Sequence, residues 1–157
     1  MPKPAPFPVE IKTRRLTLRR IYTTDLTLFS SLSDPRISKY EAWSPHETVA
    51  DTMQFINRVM EKYERGDCTE WVIARNEDDE PVGMINLHNK NFYHGRAELG
   101  FWVSPDQWGK GYATEAAEAV IGYCFGSTPL CRFRNAGKRT CLRFPYLKRD
   151  PFRSYTS

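Results

Sequence analysis

Two glycines flank a lysine in the run Trp108, Gly109, Lys110, Gly111, Tyr112, Ala113, Thr114. Beyond them Ala113, Ala116, Ala117, Val120, Ile121 and Cys124 recur at helical spacing, so the glycines precede a helix start. The first N–H groups of a helix have no intrahelical partner, and with the macrodipole they attract an anion. Glycine removes the side chains that would block an approach, Lys110 adds positive charge and Thr114 offers a hydroxyl. A phosphate or pyrophosphate fits such a junction; a plain tight turn is the other reading of the same residues. The spacing is not GxxxxGK[ST], and a dinucleotide fingerprint would need glycine at Thr114.

A second group able to do chemistry lies upstream. Glu98 sits in Ala97–Val103, AELGFWV, which reads as a strand ending just before the glycine turn. A carboxylate there either takes a proton from a substrate or pairs with a helix terminus or an arginine. Asp106 reads as a turn cap. His46 reads as a solvated loop histidine or a substrate contact, His88 and His94 as strand-end and loop residues. Tyr40 and Trp43 read as core or as pocket lining. Cys68, Cys124, Cys131 and Cys141 form no CxxC pair and have no histidine pair nearby, so no metal is expected. The same cysteine usage points to a reducing, cytoplasmic setting.

The elements that must position these residues follow from periodicity. Thr13–Ile21 alternates as a half-buried strand, and Thr23–Ser33 has the spacing of a short amphipathic helix. Ser44, Pro45 and Glu47 form a capping-box pattern ahead of a helix running to Arg65, with Gly66 in the C′ place. Glu70–Arg75 and Val82–His88 read as two strands of a hairpin around the polar turn at 76–80. The 157 residues suit one domain, and no apolar run is long enough to span a bilayer. The Pro-rich start, residues 1–12, reads as a flexible leader without a secretory signal.

The stretch ELGFWVSPDQWGKGYATEA resembles the coenzyme A-binding motif of the GNAT N-acetyltransferases, most closely the branch that acetylates ribosomal-protein N-termini. The family pattern Q/R-x-x-G-x-G/A falls on Trp108–Ala113, with Trp108 where Gln or Arg is usual. TRRLTLRR followed by Asp25, Gly83 and the AELGFWV strand agree in order, so the resemblance spans residues 11–125. It implies an α/β fold, a mixed and mostly antiparallel sheet flanked by helices. It also implies acetyl transfer from acetyl-CoA to an amine acceptor, a protein N-terminus or a small amine, by direct attack. In such a site pantetheine bonds to backbone near Trp102 and Val103, and the pyrophosphate rests on Gly109, Lys110, Gly111, Tyr112, Ala113 and Thr114 beside Trp108. A bulge in the strand presents an N–H to the thioester carbonyl, and Glu98 is the base.

After Phe125 the resemblance stops. Residues 1–125 carry 15 Lys+Arg against 18 Asp+Glu, about −3, whereas residues 126–157 carry 8 Lys+Arg against Asp150 alone, about +7. The chain thus divides into a leader at 1–12, an incomplete GNAT domain at 13–125 and a basic atypical tail at 126–157. Three readings of the tail stand: a shifted reading frame or wrong gene model, an altered C-terminus that still pairs one strand at 130–134, or a basic arm for RNA or an acidic partner. No nucleic-acid motif supports the last. If the tail supplies no strand, AELGFWV is left as a long apolar edge, and the expectation is a weakly stable, weakly active or inactive chain, a remnant or coenzyme A-binding module.

Overall fold

The computed structural model describes residues 7–8, 10–39, 43–130, 132–135 and 146–148. Among the described residues seven strands form one sheet in sequential order, β1 (Ile11–Lys12), β2 (Leu16–Arg19), β3 (Glu70–Arg75), β4 (Pro81–Asn91), β5 (Arg96–Val103), β6 (Arg132–Asn135) and β7 (Tyr146–Lys148). All neighbours run antiparallel except β5 and β6, which are parallel. Parallel strands need a crossover, and helix α4 (Tyr112–Ser127) supplies it.

The sheet separates two apolar layers. On one face Leu16, Leu18, Trp71, Ile85, Leu87 and Leu99 pack against the Ala113, Ala116, Ala117, Val120 and Cys124 stripe of α4. On the other, Val72 and Met84 meet Ile21, Leu28, Leu32, Ile56 and Val59. This second layer holds a 3₁₀ segment (Thr23–Leu28), the short helices α1 (Phe29–Leu32) and α2 (Pro35–Ser38), and the long helix α3 (Val49–Glu64). Burial pushes the thiol of Cys124 up to about 12, so it behaves as an apolar core atom. The 3₁₀ segment is tied to the sheet by a buried pair: Arg19 gives both terminal nitrogens to the Asp25 carboxylate at 2.9 Å each.

The capping box of α3 lies four residues later than Ser44 would place it. The Thr48 hydroxyl accepts from the Asp51 N–H at 3.3 Å, and the Asp51 carboxylate accepts from Thr48 N–H at 3.0 Å and Glu47 N–H at 2.9 Å. Asp51 is held below the usual carboxylate range by those backbone N–H groups. At the other end Gly66, at φ 85°, closes a Schellman motif: its N–H bonds the Tyr63 carbonyl, and the N–H of Asp67 bonds that of Lys62.

Two expectations need correction. Phe7, within the stretch read as a flexible leader, is buried against Trp71 and Tyr123, and the Trp71 indole donates to the Pro8 carbonyl at 3.0 Å. A large aromatic side chain outweighs its proline neighbours there. Nor is β5 a bare edge: its residues Arg96–Leu99 are paired with Arg132–Asn135 of β6. Leu130 and Phe133, both past Phe125, belong to the main core, and Phe133 packs its ring 5.5 Å from that of Phe125.

Phe133 therefore distinguishes a strand of the fold from a solvated basic arm. Phe133→Ala is expected to cost about 3–5 kcal/mol, as for other buried aromatics, read as a lowered urea midpoint. An unchanged midpoint would mean that β6 contributes nothing to the folded state.

Candidate active site

The glycine turn is built by backbone conformations that other residues resist. Gly109 and Gly111 have φ of 79° and 81°, in the left-handed region. Gly111 occupies the N-cap place of α4, and no side chain caps the helix. A Cβ at Gly109 would meet nothing within 4 Å, and one at Gly111 would meet only the end of Arg15, at 3.4 Å. Gly109, Lys110, Gly111 and Thr114 are exposed, Tyr112 is half-buried and Ala113 is buried. The turn thus offers an open concavity of backbone beside a helix N-terminus, with Lys110 as a local cation. The residues fit a phosphate or pyrophosphate group.

Arg15, just before β2, and Glu115 of α4 brace this turn. Arg15 donates Nε to Glu115 Oε1 at 2.7 Å and Nη1 to the Lys110 carbonyl at 2.8 Å, and its guanidinium lies 4.8 Å from the Tyr112 ring centre. Glu115 also accepts from the Arg15 N–H at 3.0 Å and from the Thr13 hydroxyl. Burial works against ionisation of Glu115, but the hydrogen bonds from Thr13 and Arg15 outweigh it and hold its carboxyl below the usual range.

Strand β5 runs into this turn through Ser104 and the 3₁₀ turn Pro105–Gln107. The Ser104 N–H donates to the Val82 carbonyl at 2.7 Å, and the Trp102 carbonyl lies over Gly83, where a Cβ would come within 2.1 Å of it. Backbone groups alternate sides along a strand, so Trp102 points its own at β4. Phe101 and Val103 point theirs to the opposite side, where β6 runs. Among the described residues the β5–β6 ladder ends at Leu99↔Asn135. The Val103 carbonyl accepts from the Trp108 indole at 2.7 Å, which folds Trp108 back across the turn. Phe101 is thus a residue the sequence reading passed over; strand parity was the signal for it.

The β4–β5 register is continuous from His88↔Glu98 to Gly83↔Val103, so β5 carries no bulge against β4. The irregularity lies in β4, where Asn89 and Lys90 stand opposite Ala97 alone, with Asn89 at φ 47°. The extra residue is accommodated by asparagine, which tolerates that conformation.

Glu98 is half-buried on β5, and its Oε2 accepts from Asn89 Nδ2 at 3.1 Å. It borders an open hollow of 630 Å³ that also meets Asn91, Arg96, Arg132 and Phe133. His46 is not a solvated loop residue: its Nδ1 bonds the Thr52 hydroxyl at 2.8 Å and its ring packs on Trp43 and Phe55. Burial lowers its pKa, with a smaller opposing pull from Asp51. Trp43 packs on the second core layer; Tyr40, Cys131 and Cys141 lie outside the described residues. Asp106 is exposed in its turn, and the cap position there belongs to Ser104, whose hydroxyl meets that of Ser31 at 2.6 Å. Among the described residues no cluster of metal-ligating side chains occurs, and no helix is long and apolar enough to cross a membrane.

A mixed sheet with one parallel pair, and an anion-receptive helix start at the end of the strand before that pair, define an acyl-transferase type of fold. The sequence pattern of the Acetyltransferase (GNAT) domain matches residues 15–138. The uncharacterized N-acetyltransferase YoaA of Bacillus subtilis is 27% identical over 157 residues, covering 95% of this chain and 88% of that one. The uncharacterized N-acetyltransferase p20 of Bacillus licheniformis is 32% identical over 121 residues, covering 76% and 68%. A GNAT-family acetyltransferase structure from Bacillus anthracis superposes with a TM-score of 0.67 at 28% identity, covering 80% of this chain and 72% of that one. The chain belongs to the GNAT acetyltransferase family, enzymes that take their acetyl group from acetyl-CoA.

Because the folded state holds Glu115 ionised, the clamp's contribution is present above the ordinary carboxylate pKa and is lost as pH falls through the lowered one. Glu115→Gln is expected to cost about 1–3 kcal/mol at pH 7, the usual range for a hydrogen-bonded charge. The gap to wild type should narrow as urea melts are taken to more acidic pH. A gap that stays constant from neutral to acid pH would show that the Glu115 charge carries no weight.

Proposed function

We propose that this chain transfers the acetyl group of acetyl-CoA to a primary amine, a protein N-terminus or a small amine, by direct attack within a ternary complex. The observation that carries this reading is the pairing of one strand end with one glycine turn. Beyond Leu99, the backbone groups of Phe101 and Val103 face away from β4, and a few residues later the turn at Gly109–Thr114 is open on its outer side and would receive an anion. Pantetheine amides would bond the backbone of Phe101 and the N–H of Val103, with Trp102 supporting that strand from the β4 side. The pyrophosphate would rest on Gly109, Lys110, Gly111, Tyr112, Ala113 and Thr114, with Trp108 and Arg15 fixing the turn. Acetyl-CoA supplies an activated thioester. The chain's own part is to orient it, to give an N–H to the carbonyl oxygen, and to receive the amine's proton.

Glu98 is the proposed proton acceptor, acting through water. It is half-buried, it borders a solvent-open hollow, and Asn89 orients one of its oxygens. The amine must be neutral to attack, so a carboxylate two residues before Gly100 would take its proton. Residues 13–135 would then act as one catalytic unit, with the basic segment past 126 contributing β6 to it.

Calorimetric titration with acetyl-CoA tests the cleft. Wild type is expected to bind with 1:1 stoichiometry, and Gly111→Trp to lose at least tenfold in affinity. A left-handed Trp costs roughly 1–2 kcal/mol of strain, and its side chain also fills the approach. Equal binding by both proteins would remove the anion site from this turn. Glu98→Gln should lower kcat about 10²–10⁴-fold with acetyl-CoA affinity unchanged; a wild-type rate would take Glu98 out of the proton path.

A further inference from the structure

Arg15 braces the glycine turn, yet bracing does not use its whole guanidinium. Nε is taken by Glu115 Oε1 and Nη1 by the Lys110 carbonyl. Among the described residues no oxygen accepts from Nη2. That nitrogen lies over Gly111, 3.4 Å from where a Cβ would stand on that residue. The guanidinium is stacked on the Tyr112 ring, 4.8 Å from its centre, which fixes its plane. The side chain is 43% exposed, so a ligand can reach it. Three contacts on different sides thus hold one donor nitrogen in place. Beside it stands a second set of unused donors. The first intrahelical bond of α4 runs from the Glu115 N–H to the Gly111 carbonyl at 3.0 Å. The N–H groups of Tyr112, Ala113 and Thr114 come before it and have no partner inside the helix. A serine or aspartate at the N-cap would offer them its own oxygen. Glycine leaves that place to an oxygen from elsewhere, and Arg15 Nη2 borders it. Lys110, the other cation of the turn, gives Nζ to Gln107 Oε1 at 3.0 Å, an oxygen that also accepts from Arg75 Nη1 at 3.4 Å. Arg15 is therefore the cation that stands over Gly111.

We propose that Arg15 is a direct ligand of the acetyl donor: a phosphoryl oxygen takes the cap position at Gly111 and accepts both from the first N–H groups of α4 and from Arg15 Nη2. The proposal rests on the reading that the pyrophosphate of acetyl-CoA occupies this turn. Arg15 stands outside the glycine motif and reaches it from the other end of the chain's described core, just before β2. The role needs arginine. Nε and Nη1 brace while Nη2 donates, which uses three nitrogens of one rigid fork, and a lysine has one. Backbone N–H groups hold an anion by partial charge, whereas Arg15 adds a full one, so the grip depends on the charge of the ligand. Glu115 works against that grip. Its carboxylate lies 2.7 Å from Nε of the same guanidinium and repels a phosphate beside it. The clamp thus sets rigidity of the turn against affinity for the donor.

The test uses the full chain with ¹⁵N-labelled arginine side chains. The Arg15 signals are assigned by their absence from Arg15→Lys. Acetyl-CoA is then added to wild type, with S-acetylpantetheine, which has the thioester arm and no phosphate, as the control. Acetyl-CoA should move the Arg15 Nη signals and slow their exchange with water, and S-acetylpantetheine should do neither. Calorimetry next compares acetyl-CoA binding by wild type, Arg15→Lys, Arg15→Gln and Glu115→Gln at neutral pH, with thermal melts to confirm folding. Arg15→Gln should weaken binding about tenfold or more, as for a lost charge-assisted hydrogen bond, and Arg15→Lys should recover only part of that. Glu115→Gln removes a like charge from beside the phosphate and should tighten binding roughly twofold. A residue that only braces the turn would lose affinity with either partner's change. Weakening by Glu115→Gln to the same degree as by Arg15→Gln would therefore overturn the proposal. So would bound acetyl-CoA that leaves the Arg15 Nη signals where they were. Both results spare the cofactor cleft, since acetyl-CoA still binds. Failure of wild type to bind acetyl-CoA would instead bring down the cleft reading, and the role of Arg15 with it.

Discussion

Strand β5 must satisfy two neighbours at once, and most of the site depends on how it does so. Its β4 side is paired along nearly its whole length, from Arg96 to Val103. Its β6 side is paired over Arg96–Leu99 among the described residues. A strand fully paired on both sides would have no backbone left to offer a ligand, and a strand unpaired on one side would be an exposed edge. The parallel partner β6 resolves both demands. It covers the first half of β5 and anchors itself through Phe133 in the core.

That arrangement needs β5 to be rigid where it is half-paired. Gly83 lets the Trp102 carbonyl approach β4 more closely than any side chain would permit. The Val82 carbonyl holds Ser104, and the Trp108 indole closes over the Val103 carbonyl. Arg15 then fixes the far end of the turn to β2 through Glu115 and the Lys110 carbonyl. The exposed glycines are therefore free of contacts on their outer side yet held from behind. Their left-handed backbone conformation is thus set by contacts within the chain.

How much of this could be read from the chain depends on the range of the interactions. The glycine turn, the α4 stripe and the three strands at Glu70–Val103 are local patterns, and each appears where periodicity puts it. The α3 cap moved from Ser44 to Thr48 because Asp51, one turn in, can reach back to two N–H groups; both boxes look alike in sequence. Strand β6 is four residues long and charged at alternate positions, so its partners β5 and β7 make it a strand. The facing of Phe101 rather than Trp102 is a matter of parity, set by which residue of β5 bonds Val82. A family pattern names the segment but not the side.

The packing of Asn86 and His88 over Gly100 is the least legible feature, because none of its parts is unusual alone. Asn86, His88 and Gly100 belong to different strands or different registers, and each has an ordinary explanation in a sequence. Their meaning comes from three non-local facts: the Asn86 amide is oriented by Glu70, Glu70 is held by Lys62 of α3, and His88 leans off its own pair. The charge that orients the Asn86 amide is thus supplied by the helix layer, while its contact over Gly100 is set by the sheet. Changes along α3 and β3 therefore reach Gly100 without touching the turn at Gly109–Gly111, which Arg15 and Glu115 hold.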